Sequence, residues 1–213
     1  MSYLTTSLLI GFLSLDTTIA FQMLLSQPLF ACPLIGWALG NPQLGFEIGV
    51  ILQLLWISII PVGAISFPEG NIASMIVGAV VIYFDHLGYP NIIFTIAILL
   101  GIAASYVGDR LTVLDRKFNG YLLEVALSAA ESANLRKIVL VDFLSIGFYF
   151  VLMVGFTFVM LNVADWCIQG LSPVFSEMLD RKLQFVKPAV LGIGFAFTGR
   201  LFYQILLKKK ANP

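Results

Sequence analysis

Histidine is nearly missing from this chain: there is one, His86, in 213 residues. A single histidine excludes a multi-histidine metal centre, and no Ser/His/Asp set for nucleophilic catalysis is evident. His86 stands in DHLGYP and reads as a solvated corner residue. Cysteine is scarce as well. Cys32 and Cys167 lie far apart in apolar surroundings without ligand spacing, so both read as small buried residues. Charge is thin: 11% of residues are charged, against about 25% in soluble domains. The 12 acids and 12 bases cancel, which argues against nucleic acid as a partner. No glycine-rich phosphate cradle is present, and no cofactor is expected. The opening MSYLTTSLLI has no Lys or Arg, and no small-residue cleavage site follows. The first hydrophobic segment is therefore expected to be retained.

What remains is apolar. Hydrophobic residues make up 59% of the chain, and the mean hydropathy is +0.96. That composition fits an all-α, polytopic integral membrane protein. A span needs roughly 20 mostly apolar residues. About six candidates follow, near 4–25, 43–60, 72–88, 91–108, 139–161 and 186–207. Residues 28–39, PLFACPLIGWAL, are too short to span and sit between Pro28 and Gly40-Asn41-Pro42. They predict a half-helix or a tightly packed short helix. Residues 61–70, PVGAISFPEG, predict a second interruption, a loop or re-entrant turn at membrane depth. A further short surface segment is expected within 167–183.

The whole reads as one membrane domain, 1–213: an interrupted half (1–108), a connector (109–137) and C-terminal helices (138–213). In the connector Phe118, Tyr121, Leu122, Val125 and Ala129 follow helical spacing, while Lys117, Glu124 and Glu131 recur on another face. That predicts an amphipathic helix of about 20 residues on or beneath the membrane. Its Arg110, Arg116, Lys117, Arg136 and Lys137, with Lys208, Lys209 and Lys210 near the C-terminus, place both segments in the cytoplasm. The Asp85-His86 corner and the 162–185 connection then lie outside.

Broken apolar segments are tolerated in a bilayer only where protein or an aqueous cavity surrounds them, and they point to a carrier's substrate site. The polar residues in this stretch are few. Gln53 sits mid-segment in VILQLLW and hydrogen-bonds either a neighbouring helix or a ligand. Asp16, in LSLDTTIAFQ, either caps a helix starting at Thr17, braces the fold, or contacts a ligand. Glu69 is placed to cap a helix starting near Asn71. Gln22 follows Asp16, and Gln27 precedes Pro28. Sugars are held by carboxylates and amides against an aromatic face. Asp16, Gln22, Gln53, Glu69 and Trp56 together supply that inventory as substrate-binding candidates.

The run LDTTIAFQMLLSQPLFACPLIGWALGNPQLGFEIGVILQLLWISIIPVGAISFPEGNIAS resembles the IIC subunit of mannose/fructose/sorbose-family phosphotransferase-system (PTS) permeases, and AESANLRKIVLVDF continues the likeness more weakly. The resemblance implies an elevator-type carrier with a sugar-holding core that slides against a scaffold in the bacterial cytoplasmic (inner) membrane. It implies a IID membrane subunit as partner, and cytoplasmic IIA and IIB proteins that relay phosphate to the incoming sugar. It implies no phosphorylated or catalytic residue in this chain. The chain departs from the family pattern at Gln53, where Glu is usual, and at Asp142, near the usual His. It also ends sooner than long members.

Three functions compete. One is a hexose-translocating IIC subunit. Another is a degenerate, non-transporting IIC-like subunit with a sensory or scaffold role. The third is a carrier unconnected to phosphate relay. Which sugar is carried, and whether the subunit forms a homo-oligomer, stays open at this stage.

Overall fold

The structure is a computed structural model, and it describes residues 1–17, 19–20, 22–57 and 67–211. Every regular element among these residues is helical. The order is α1 (Tyr3–Ser14), α2 (Pro28–Leu39), α3 (Pro42–Trp56), α4 (Gly70–Phe84), α5 (Pro90–Glu131), α6 (Leu135–Leu171), α7 (Glu177–Lys182) and α8 (Val186–Ala211), with short 3-10 turns at Asp85–Leu87 and Ser172–Val174. Among the described residues four helical stretches are long and apolar enough to cross a membrane: Gly70–Leu87, Pro90–Glu131, Leu135–Val174 and Glu177–Gln204. The short helix expected at 28–39 appears as α2, 12 residues long, but the span expected over 4–25 does not form: α1 stops at Ser14 after 12 residues, and the chain passes into a turn held by Asp16. Of the second predicted interruption, residues 61–66 lie outside the described residues.

The α2–α3 corner follows from its sequence. Gly40 takes a left-handed φ of 94° after α2, Asn41 accepts the Leu44 amide at 3.1 Å, and Pro42 opens α3. The two helices then touch backbone to backbone. A Cβ added at Gly36, Gly45 or Gly49 would lie 2.7, 2.5 and 2.5 Å from the carbonyl oxygens of Asn41, Cys32 and Pro28.

Helix α4 is the centre. Of its residues only Asn71 and Tyr83 escape full burial, and it touches α1, α2, α3, α5 and α6. Small residues on α5 admit it. A Cβ at Gly101 would strike Val77, and Gly108 lies under Glu69, with Ala104 and Ser105 buried between. Gly101, Ala104 and Ser105 of the small-residue run are thus spent inside the subunit, while Ile102 and Ala103 face outward. Gly194 of α8 likewise sits on Leu54 and Leu55 of α3, whereas Gly192 faces open space.

The connector is not a separate element. Residues 109–131 continue α5 without a break, and the chain turns only at 132–134. There Ala133 has φ 49°, and Asn134 accepts the Lys137 amide at 3.2 Å. The hydropathy change at 109 marks where apolar surroundings end, while the 3.6-residue period runs straight through it. Helix α6 returns antiparallel, with Phe118 and Phe148 stacked at 4.1 Å. The far end of α5 is capped from outside. Asp180 of α7 accepts the Asn91 and Ile92 amides, both at 2.9 Å, and the Asn91 side-chain amide at 2.7 Å. It thereby meets orphan donors that the Tyr89 N-cap leaves open. Lys187 pairs with Glu47 at 2.8 Å and ties α8 to α3.

Candidate functional site

Helix α1 stops at Ser14, whose hydroxyl donates back to the Gly11 carbonyl at 2.7 Å. Asp16 follows in a turn and is 4% exposed. It does not cap a helix at Thr17. One carboxylate oxygen accepts the Met23 amide at 2.6 Å, and the other accepts the Ser26 amide at 3.0 Å. The turn it grips is strained, because Gln22 and Leu24 hold left-handed φ values of 51° and 66°. A buried carboxylate satisfying two backbone donors over-determines such a turn. Asp16 is therefore a brace that presents the start of α2.

Gln53 completes that start. The Gln27 N-cap makes no side-chain cap of its own. Instead the Gln53 side-chain carbonyl accepts the Leu29 amide at 3.3 Å, and the Gln53 amide donates to Gln27 Oε1 at 3.1 Å. Gln53 is thus bonded across helices. A glutamate here could still accept the Leu29 amide. The Gln27 amide need only rotate to present its NH2. We therefore expect Gln53→Glu to keep the fold and Gln53→Leu to strand one amide and one carbonyl, at about 1–3 kcal/mol. Thermal unfolding in detergent checks this, and equal midpoints for the two variants would refute it.

Helix α4 opens on the same spot. Glu69 takes its N-cap position but makes no side-chain cap. Its carboxylate instead accepts the Thr112 hydroxyl at 2.8 Å, and its amide donates to the Ser105 carbonyl at 2.9 Å. Trp56 packs over Gly70, where a Cβ would lie 2.6 Å from the indole. Asn71, in the first turn of α4, donates to the Ser26 hydroxyl at 3.5 Å. That bond joins the two helix starts.

Among the five candidates, the structure links Asp16 and Gln53 through the 22–29 segment. It sets Glu69 and Trp56 about the start of α4, one bond away. Gln22 stands on the exposed rim of the strained turn. Ser26, Asn71 and Thr112 belong to this constellation and went unread. Ser26 and Asn71 carry a usable signal, a polar residue within two positions of an interrupted helix's start. Thr112 lies beyond the hydropathy change and carries none. Around these residues two helix N-termini bring partial positive charge, beside a carboxylate, side-chain amides and an indole; at α2 the Leu29, Phe30 and Ala31 amides are already taken by Gln53 and the Gln27 carbonyl. The arrangement can take hydroxyl groups in paired hydrogen bonds. Among the described residues no cluster has metal-ligand character.

The sequence profile of a family described as PTS system sorbose-specific IIC component matches residues 1–211. The chain is 30% identical over 176 residues to the PTS system sorbose-specific EIIC component of Klebsiella pneumoniae, covering 82% of this chain and 64% of that protein. It is 27% identical over 171 residues to the PTS system mannose-specific EIIC component of Escherichia coli K12, covering 80% and 62%. It thus spans less than two thirds of these relatives' length. Two solved structures share the fold at 20% identity, each covering 99% of this chain and 85% of the other. One is described as a membrane protein, with a TM-score of 0.70. The other is the mannose transporter ManYZ in complex with microcin E492, with a TM-score of 0.63.

Proposed function

This chain belongs to the family of PTS sorbose-specific IIC components, and from that premise we propose that it is the sugar-binding, translocating membrane subunit of a phosphoenolpyruvate-dependent phosphotransferase system. The observation that supports it best is the Ser26–Asn71 bond, which holds the starts of α2 and α4 at one place. In this reading Glu69, Asn71 and Gln27 take hydroxyls of a hexose-type sugar, and Trp56 covers its apolar face. Asp16 and Gln53 act one layer back by fixing the α2 start. The subunit moves the sugar, and a cytoplasmic IIB partner, charged by IIA, phosphorylates it. A IID membrane subunit would share the bilayer with it. Helices α6 and α8 suit such a neighbour or lipid, since only 17% and 11% of their spanning windows are buried.

The orientation proposed is cytoplasmic for the α5–α6 turn and the C-terminus, in a bacterial inner membrane. An impermeant thiol reagent added to intact cells should label His86→Cys and spare Gly120→Cys. The reverse pattern would invert the topology.

Uptake of radiolabelled hexoses by cells carrying the full set of subunits tests the function. Glu69→Gln keeps an acceptor for Thr112 but loses the carboxylate's charge and half its acceptor capacity. Sugar affinity should fall about ten- to hundredfold, the equivalent of about 1–3 kcal/mol. Normal affinity in this variant would remove Glu69 from the site. No uptake by the wild type with its full set would favour the non-transporting, scaffold-like subunit.

A further inference from the structure

Below Glu69 the polar chemistry does not stop. Thr112, which donates to Glu69, is buried, and so is Asp115 one turn on, at 3% exposed. Asp115 Oδ2 accepts the Asn119 side-chain amide at 3.0 Å, and the Asn119 carbonyl accepts the Ser145 hydroxyl of α6 at 2.8 Å. Tyr149, one turn from Ser145, is 3% exposed and within electrostatic range of both Glu69 and Asp115. One atom in this row of polar side chains is unsatisfied: Asp115 Oδ1 is buried and has no hydrogen-bond partner. The row ends at a pocket of about 340 Å³ between α5 and α6, lined by Asn119, Asp142 and Ser145 with Leu122, Leu123 and Ile138 among its apolar wall.

Two accounts of these residues compete. Interhelical hydrogen bonds serve as ordinary glue, and Asn119–Ser145 alone fits that. Glue does not require a second buried carboxylate with an oxygen left over. Leaving a buried acceptor unmade is costly, so such an atom calls for an occupant. The rise from Thr112 to Asn119 is about 10 Å, two turns of one helix. Its upper end is bonded to Glu69 and its lower end opens on the pocket.

We propose that Thr112, Asp115, Asn119 and Ser145 form the exit lane along which a polyhydroxylated substrate leaves the Glu69 site for the α5–α6 pocket. The inference rests on the sugar-carrier reading and deepens it. Asp115 Oδ1 is the lane's open acceptor for a passing hydroxyl or for the water that precedes it.

The test uses single cysteines at 112, 119 and 145, with Ala104→Cys as a packed control, in inside-out vesicles holding the chain with the other subunits of its system. A small hydrophilic thiol reagent should modify the three lane positions and spare position 104, and hexose should slow the modification. In parallel, Asn119→Leu and Ser145→Val should slow uptake about tenfold while leaving sugar affinity unchanged, the split expected of a residue met after binding. Inert cysteines at all three positions would overturn the lane in favour of glue. Modification that hexose does not affect, or normal uptake by both variants, would overturn it too. The parent reading fails differently: a wild-type complex that neither binds nor transports any hexose removes the substrate altogether, whatever the cysteines report.

Discussion

Gly49→Val should leave little folded protein. Even one carbon at this position would lie 2.5 Å from the Pro28 carbonyl oxygen and 3.2 Å from Cys32 Cβ, and the first of these neighbours is backbone. Backbone cannot rotate out of the way as a side chain can, so α2 and α3 must separate. Overpacking of this kind costs about 1–3 kcal/mol when neighbours yield, and here the yielding would open the contact that also carries Gly36 and Gly45. Against a total stability of about 5–15 kcal/mol, the paired change Gly45→Ala with Gly49→Val should abolish the native state. Gly120 offers the opposite case. It lies within α5 with nothing within 4 Å of an added Cβ, so Gly120→Ala should stabilise by about 0.5–1 kcal/mol. Thermal unfolding in detergent reads both. Wild-type behaviour of Gly49→Val would mean that the helices do not meet as described.

Asp16→Ala should cost both fold and transport. It strands the buried Ser26 amide, a loss worth about 1–3 kcal/mol, and releases the more exposed Met23 amide to water. It also frees the left-handed turn at Gln22 and Leu24 to relax, and that turn sets where α2 begins. Displacing site groups by about 1 Å is enough for a hundredfold loss in turnover. Asp16→Asn keeps acceptor capacity on one oxygen and should recover part of both effects. That graded order separates a brace from a sugar ligand, because a brace moves unfolding midpoint and uptake together. Uptake lost at an unchanged midpoint in both variants would instead mean that Asp16 touches the sugar.

The sequence makes some of this plain and hides the rest for physical reasons. Local chemistry is legible. Pro28 and Gly40-Asn41-Pro42 bound α2 where expected, because left-handed glycine, an Asn cap and a first-turn proline act within a few residues. Gln53 reads as an interhelical bond or a ligand contact, and its bonds to Leu29 and Gln27 are of the first kind. Asp16 misleads because its partners lie seven and ten residues on, across a turn that uses non-glycine residues at positive φ. Thr112 is hidden because its meaning depends on Glu69, 43 residues away. The end of α5 is misplaced because hydropathy reports the surroundings of a helix and not its hydrogen bonds. Family membership is readable from the 15–70 run because many weak local signals recur there in one order.

The unbroken α5 has a mechanical consequence. At 42 residues it is about 63 Å long, roughly twice the hydrocarbon thickness of a bilayer. Its N-terminal end is pinned by Asp180, and its C-terminal half is paired with α6 through Phe118 and Phe148. No proline interrupts it after Pro90, so it has no proline kink. It is a lever arm. A tilt of about 10° about its N-terminal end, small beside the tilts that spanning helices adopt, would swing the far end through about 11 Å. A protein seated on the α5–α6 turn therefore holds the long end of a beam whose flank carries Thr112, and through it Glu69.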